Sequence, residues 1–151
     1  MSEVHRLPRL LTLLVASIFI ATCAQHSHAP AASGFAGNPC SSGNGVANRE
    51  APIVCIDDTN AKLTVNPDPV MVWHKTPAGA PVTIQWFTKS GGGAIQFRWH
   101  KTTCVMNEVC TSGRCTAQTR STSTGETCKY DVMLPGHDTL DPEVVVGGCC
   151  S

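Results

Sequence analysis

Residues 62–100 read KLTVNPDPVMVWHKTPAGAPVTIQWFTKSGGGAIQFRWH, and their alternation decides the fold class. Val70, Val72 and His74 fall on one side of an extended chain, with Met71 and Trp73 on the other. Past the Pro77-Ala78-Gly79 turn, Val82, Ile84 and Trp86 alternate with Thr83, Gln85 and Phe87. Past Gly91-Gly92-Gly93, Ile95, Phe97 and Trp99 alternate with Gln96, Arg98 and His100. Successive side chains of a strand point to opposite faces, so this period of two predicts three strands of a half-buried antiparallel sheet. The glycine triplet is expected to be a hairpin turn, because no Lys-Ser/Thr pair or helix follows it to form a phosphate cradle.

The same pattern extends both ways. Ile53, Val54 and Ile56 open the folded part near Pro52. Cys128, Tyr130, Val132 and Leu134 alternate with Lys129, Asp131 and Met133, and Pro135-Gly136-His137-Asp138 signals a turn. Val144-Val145-Val146, after Asp141-Pro142, is the continuous apolar run expected of a strand buried on both faces. Lys101 to Glu126 differs: it is polar, rich in Thr and Ser, and holds Cys104, Cys110 and Cys115. It reads as a long disulfide-stapled loop with room for one helical turn around Val105 to Val109. The prediction is an all-β fold, a single antiparallel or mixed β-sandwich over residues 52–151.

The first residues point to export. Arg6 and Arg9 precede the apolar run Leu10 to Ala21, a basic and then hydrophobic layout suited to a secretory signal and short for a membrane span. Thr22-Cys23-Ala24 places cleavage after residue 24. Ile20-Ala21-Thr22-Cys23 also resembles a bacterial lipobox, in which Cys23 would be lipidated and tether the domain to a membrane. Either route leads to the periplasm or the exterior. Residues 25–51, rich in Ala, Ser, Gly and Asn, are expected to be a flexible linker whose second half Cys40 pins to the domain.

Nine cysteines support the same compartment. Without Cys23 an even set remains: Cys40, Cys55, Cys104, Cys110, Cys115, Cys128, Cys149 and Cys150. In a small exported chain this reads as a disulfide framework, and no Cys-x-x-Cys pair suggests zinc instead. The expected pairs are Cys110–Cys115, Cys104–Cys128, and Cys40 and Cys55 with Cys149 and Cys150. After cleavage, nine basic and ten acidic residues remain in scattered order. That balance excludes a nucleic-acid partner, and membrane contact is expected only through a lipidated Cys23.

Val70-Met71-Val72 before a Pro-Ala-Gly turn, Val82-Thr83-Ile84-Gln85-Trp86, and Gly125-Glu126-Thr127-Cys128-Lys129-Tyr130-Asp131-Val132 together resemble the cupredoxin-like, or a related Ig-like, Greek-key sandwich. In copper cupredoxins a comparable Tyr-containing strand runs into a metal loop with cysteine, histidine and methionine. Here the cysteine position falls near Val132, and His137 is followed near Asp141 by no further ligand. The resemblance therefore implies a sandwich of unassigned activity without the type 1 copper thiolate.

Histidines carry the remaining metal chemistry. His74, His100 and His137 read first as solvated positions, yet two of them meeting at one sandwich edge would hold Cu(II) or Zn(II). His26 and His28, near the new N-terminus, offer Cu(II) an amine-and-imidazole chelate. No nucleophile motif occurs, and Asp57-Asp58 are strand neighbours that point apart, so no catalytic residue is expected and an enzyme is the minority reading. Trp86 and Trp99 continue core faces, which leaves Trp73 as the tryptophan for a binding surface. The leading expectation is a non-catalytic exported module with a binding or structural role, without cofactor, whose partner is an unknown macromolecule or none. The alternatives are a periplasmic copper-binding protein using these histidines and, more remotely, a secreted hydrolase or oxidase.

Overall fold

The computed structural model describes residues 37–42 and 44–148. Among them a 3-10 turn at Pro39–Ser42 precedes nine strands: β1 (Ile53–Asp57), β2 (Thr64–Asn66), β3 (Val70–Trp73), β4 (Thr83–Thr88), β5 (Gln96–Trp99), β6 (Val105–Thr111), β7 (Arg114–Thr119), β8 (Thr127–Met133) and β9 (Glu143–Gly147). They form a five-stranded sheet in the order β2-β1-β4-β7-β6 and a four-stranded sheet in the order β3-β9-β8-β5. Both sheets are mixed, since β1 runs parallel to β4 and β3 parallel to β9. The fold is an all-β sandwich, as expected.

Alternation places the side chains as the sequence indicates. Val70, Val72, Ile84, Trp86, Tyr130, Val132, Val144 and Val146 are buried in one core, Val82 is buried as well, and Met71 faces out. Val145, between two buried valines, is half-buried, so β9 has one covered face rather than two. Pairing, in contrast, departs from the simple sheet. None of β3, β4 and β5 pairs with the next, because the chain changes sheets at each connection. The glycine triplet is thus a crossover from β4 to β5 and not a hairpin. Thr88 Oγ1 donates to the Gly92 carbonyl at 2.6 Å, and Gly113 N donates to the Gly93 carbonyl at 2.7 Å. A Cβ on Gly113, which has a φ of 70°, would stand 2.5 Å from the Gly91 carbonyl oxygen, so only glycine fits where the two turns meet.

The expected long loop contains structure of its own. Val105–Thr111 and Arg114–Thr119 form an antiparallel hairpin in which Cys110 stands opposite Cys115 and bonds to it. Its outer strand has no helical turn and is exposed over most of its length, so it lacks the alternation that marks a half-buried strand. Cys104–Cys128 joins the start of that hairpin to β8 of the other sheet.

The third bridge corrects the expected pairing. Cys40 bonds Cys55, and the two sulfurs sit in a buried cluster with Ile53 and Phe87 on the outer face of the five-stranded sheet. Cys149 and Cys150 lie outside the described residues. Asn38 reinforces the anchor, donating from Nδ2 to the Thr88 carbonyl at 2.7 Å. Val46 also exchanges backbone hydrogen bonds with Ile53 at 2.7 and 3.0 Å. Within the stretch read as a flexible linker up to residue 51, Asn38, Cys40 and Val46 are thus tied to the sandwich. The signal segment and Cys23 lie outside the described residues.

Loop closure predicts unequal contributions from the bridges, because a longer loop in the unfolded chain loses more entropy when crosslinked. Replacing Cys104 and Cys128 by alanine is expected to destabilise the protein by about 3.5 kcal/mol, and replacing Cys110 and Cys115 by only about 2 kcal/mol. Urea unfolding of the two double variants checks the order.

Candidate functional site

Strand β8 exposes chemistry on the face opposite its core residues. Cys128, Tyr130 and Val132 point inward, so Lys129, Asp131 and Met133 point outward. The ladder sets Arg98 of β5 directly opposite Asp131, and Lys129 opposite Glu143 of β9. His100 follows Arg98 by two positions and so shares its face. The result is a row of charged side chains across the outer face of the four-stranded sheet.

Asp131 is the centre of this row. Its side chain is only 6 % exposed despite facing outward, because Arg98 and His100 lie over it. Arg98 donates from Nε to Asp131 Oδ2 at 2.7 Å and also places Nη2 on the same oxygen. His100 Nε2 lies 2.8 Å from Oδ1, and since an ionised carboxylate only accepts, the ring donates from Nε2. The Arg98 hydrogen bonds, followed by that from His100, hold the Asp131 carboxyl below its ordinary value against the opposing effect of burial. Lys129 stands 3.5 Å from Asp141 Oδ2 and 3.4 Å from Glu143 Oε1. The Asp141 charge, with Glu143, pushes the Lys129 ammonium above its ordinary value.

Asp141 brings the row to a point. The ligand-capable atoms of His100, Asp131 and Asp141 all lie within 4.8 Å of one another. A second such trio, Cys104, Glu126 and Cys128, is occupied by its own chemistry, because the two sulfurs are bonded together. On the far side of the same sheet face, Met71, Val145 and Trp73 form an apolar end, with Met71 directly opposite Val145. Trp73 is half-buried and faces Gly147 across the ladder, where the missing side chain makes room beside its ring.

The other residues singled out by sequence are dispersed. His74 is buried at the end of β3, not solvated, with Nδ1 3.3 Å from the Gly147 carbonyl. His137 lies in the Pro135–Asp138 turn, where its Nδ1 is buried without a hydrogen-bond partner. It does not join His100 in a ligand cluster among the described residues. His26 and His28 lie outside the described residues. Asp57 and Asp58 serve the fold separately. Lys89 and Thr59 hold the Asp57 carboxyl down to about 2, whereas Asp58 accepts from the backbone and hydroxyl of Ser90. Trp99 sits at the core boundary and donates to Glu108 at 2.6 Å.

Hollows also indent the described surface. One of about 380 Å³ is lined by Ala61, Lys62, Leu63, Asp138, Thr139 and Leu140, and one of about 170 Å³ by Val109, Thr111, Arg114 and Thr116. The sequence reading missed Asp131 and Asp141 as site residues. Asp131 is the outward member of an alternating strand and Asp141 precedes a proline in a connection, and neither position alone signals a shared partner.

Comparison with known proteins identifies no relative: no family model, no curated protein and no solved structure matches the chain.

The ion-pair row carries a pH dependence of definite sign. A carboxyl with a lowered value in the folded state stabilises fully above its unfolded value of about 4 and loses that contribution as pH falls through the folded value. Asp131→Asn is thus expected to lower the thermal midpoint at pH 7. The gap to wild type should close progressively on acidification below pH about 4, as followed by circular dichroism.

Proposed function

We propose that this chain is an exported, non-catalytic binding module that meets another macromolecule through the outer face of its four-stranded sheet. The observation that carries the proposal is the arrangement of that face: a row of paired charges around the nearly buried Asp131, ending in Met71, Val145 and Trp73. Fixed ion pairs hold their donors and acceptors in place before a partner arrives, which lowers the ordering cost of association. An aromatic anchor beside a polar field is the usual composition of a contact surface, with Trp, Met and Arg enriched.

Export is part of the reading. Three disulfides fit an oxidising compartment, and the basic and apolar start of the chain supplies a route there. The cupredoxin-like resemblance belongs to the same reading. Val132, at the position of the copper cysteine in that resemblance, is fully buried in the core opposite Phe97. This favours a sandwich used as a scaffold over a type 1 copper protein.

The test is a comparison of faces. Immobilised wild-type protein, Trp73→Ala and the opposite-sheet control Gln118→Ala are exposed to the proteins and glycans of the exporting compartment, and the captured partner is then titrated against each. Loss of Trp73 is expected to weaken that affinity at least tenfold while Gln118→Ala leaves it unchanged. Equal affinity in all three would overturn the assignment of the face.

A further inference from the structure

The geometry points to a divalent transition-metal site formed by His100 Nε2, Asp131 Oδ1 and a carboxylate oxygen of Asp141, with Zn(II) as the ion of matching chemistry. These atoms come from the residue just after β5, from β8 and from the β8–β9 connection, and all lie within 4.8 Å of one another. One imidazole nitrogen and two carboxylate oxygens suit a borderline ion, and three protein ligands leave a fourth tetrahedral position for water or a partner's side chain.

The His100–Asp131 spacing favours the assignment, and Asp141, within 4.8 Å of both, closes toward the ion. His100 Nε2 and Asp131 Oδ1 are 2.8 Å apart. Two ligands at about 2.0 Å from a tetrahedral zinc stand about 3.3 Å apart, so the pair needs to open by only about half an ångström. The ring proton moves from Nε2 to Nδ1, leaving the imidazole neutral and its Nε2 lone pair on the metal. The His100 side chain is 44 % exposed, so water can exchange its ring proton.

The neighbouring cations act as supports. Arg98 occupies Oδ2 of Asp131 and leaves Oδ1 to face His100, while Lys129 stands 3.5 Å from Oδ2 of Asp141. Hydrogen bonds of this kind orient ligating carboxylates around a metal. With neutral His100, Asp131, Asp141 and Glu143 outnumber Arg98 and Lys129 by one charge, so the cluster arrives with a net negative charge for a dication to offset.

The proposal stands apart from the macromolecular partner, since its test contains only protein and metal. Zn(II) is titrated into the full mature protein while the His100 ring nitrogens and backbone amides are followed by NMR, with Mg(II) as the control ion. One equivalent is expected to saturate the site with a Kd on the order of 10 µM. The His100 Nε2 resonance should shift together with the amides of Asp131 and Asp141. Asp141→Asn and His100→Gln, both on exposed side chains, should each weaken binding at least tenfold while keeping the amide spectrum of the fold. The site is refuted if His100 does not respond at millimolar Zn(II), if binding maps only to His26 and His28, if Mg(II) produces the same shifts, or if either variant binds as wild type does.

Discussion

One buried hydrogen bond fixes how the two sheets meet. Trp86 of β4 donates from Nε1 to the hydroxyl of Tyr130 on β8 at 3.0 Å, and both side chains are fully buried. An indole N–H left unpaired in such surroundings costs about 1–3 kcal/mol, so any sliding of one sheet over the other is opposed by more than lost packing. Phe97 and Trp99 close around the pair, with centroids 4.9 and 6.1 Å from Trp86 and 5.4 and 4.7 Å from Tyr130. Burial pushes the Tyr130 phenol well above its ordinary value, which keeps it protonated across physiological pH. Because Asp131 follows Tyr130, the same contact that locks β8 inward positions the carboxylate outward.

Alternation revealed which side chains are buried, but it could not reveal which strands are neighbours. The faces of Val70 and Val72, of Val82, Ile84 and Trp86, and of Ile95 emerged as read, since a period of two carries that information directly. It says nothing about partners: β3 and β5 stand at opposite edges of one sheet while β4 lies in the other. The hairpin of residues 105–119 was hidden for a related reason. Its outer strand has almost no buried residues to mark a period. The signal for it is Cys110 and Cys115 spaced around Ser112-Gly113, since a short bridge across a glycine turn is what two facing strands allow.

The charged row was harder still. Arg98 and Asp131 are separated by 33 residues, and their pairing depends on a register that β5 acquires only after crossing sheets. Each, taken alone, is an ordinary outward residue of a half-buried strand. Their side chains bury one another because a carboxylate in the second strand from an edge can be covered from the flanking strand by Arg98 and from beyond its end by His100. Proximity of the histidines followed the opposite course: His100 and His137 share a plausible edge in sequence, but the turn that holds His137 places it with Leu134.

Sheet edges decide which surface remains open for a partner. Strand β2 is three residues long, and at β3 the Trp73 N–H is already taken by the Arg49 carbonyl at 3.0 Å. The longest edge, β6, is interrupted by a register shift between Met106 and Val109, where Asn107 adopts a φ of 54° and Glu108 reaches Trp99. A bulge of this kind twists an edge and breaks the continuous ladder that a further strand would need. Edge-to-edge addition is thereby disfavoured at the strand best exposed to it. On the outer face of the four-stranded sheet the charges are paired, Arg98 with Asp131 from strand to strand and Lys129 with both Glu143 of β9 and Asp141 of the β8–β9 connection. Its polar groups are therefore satisfied within the face, whereas a sheet edge keeps a row of backbone donors and acceptors to be blocked.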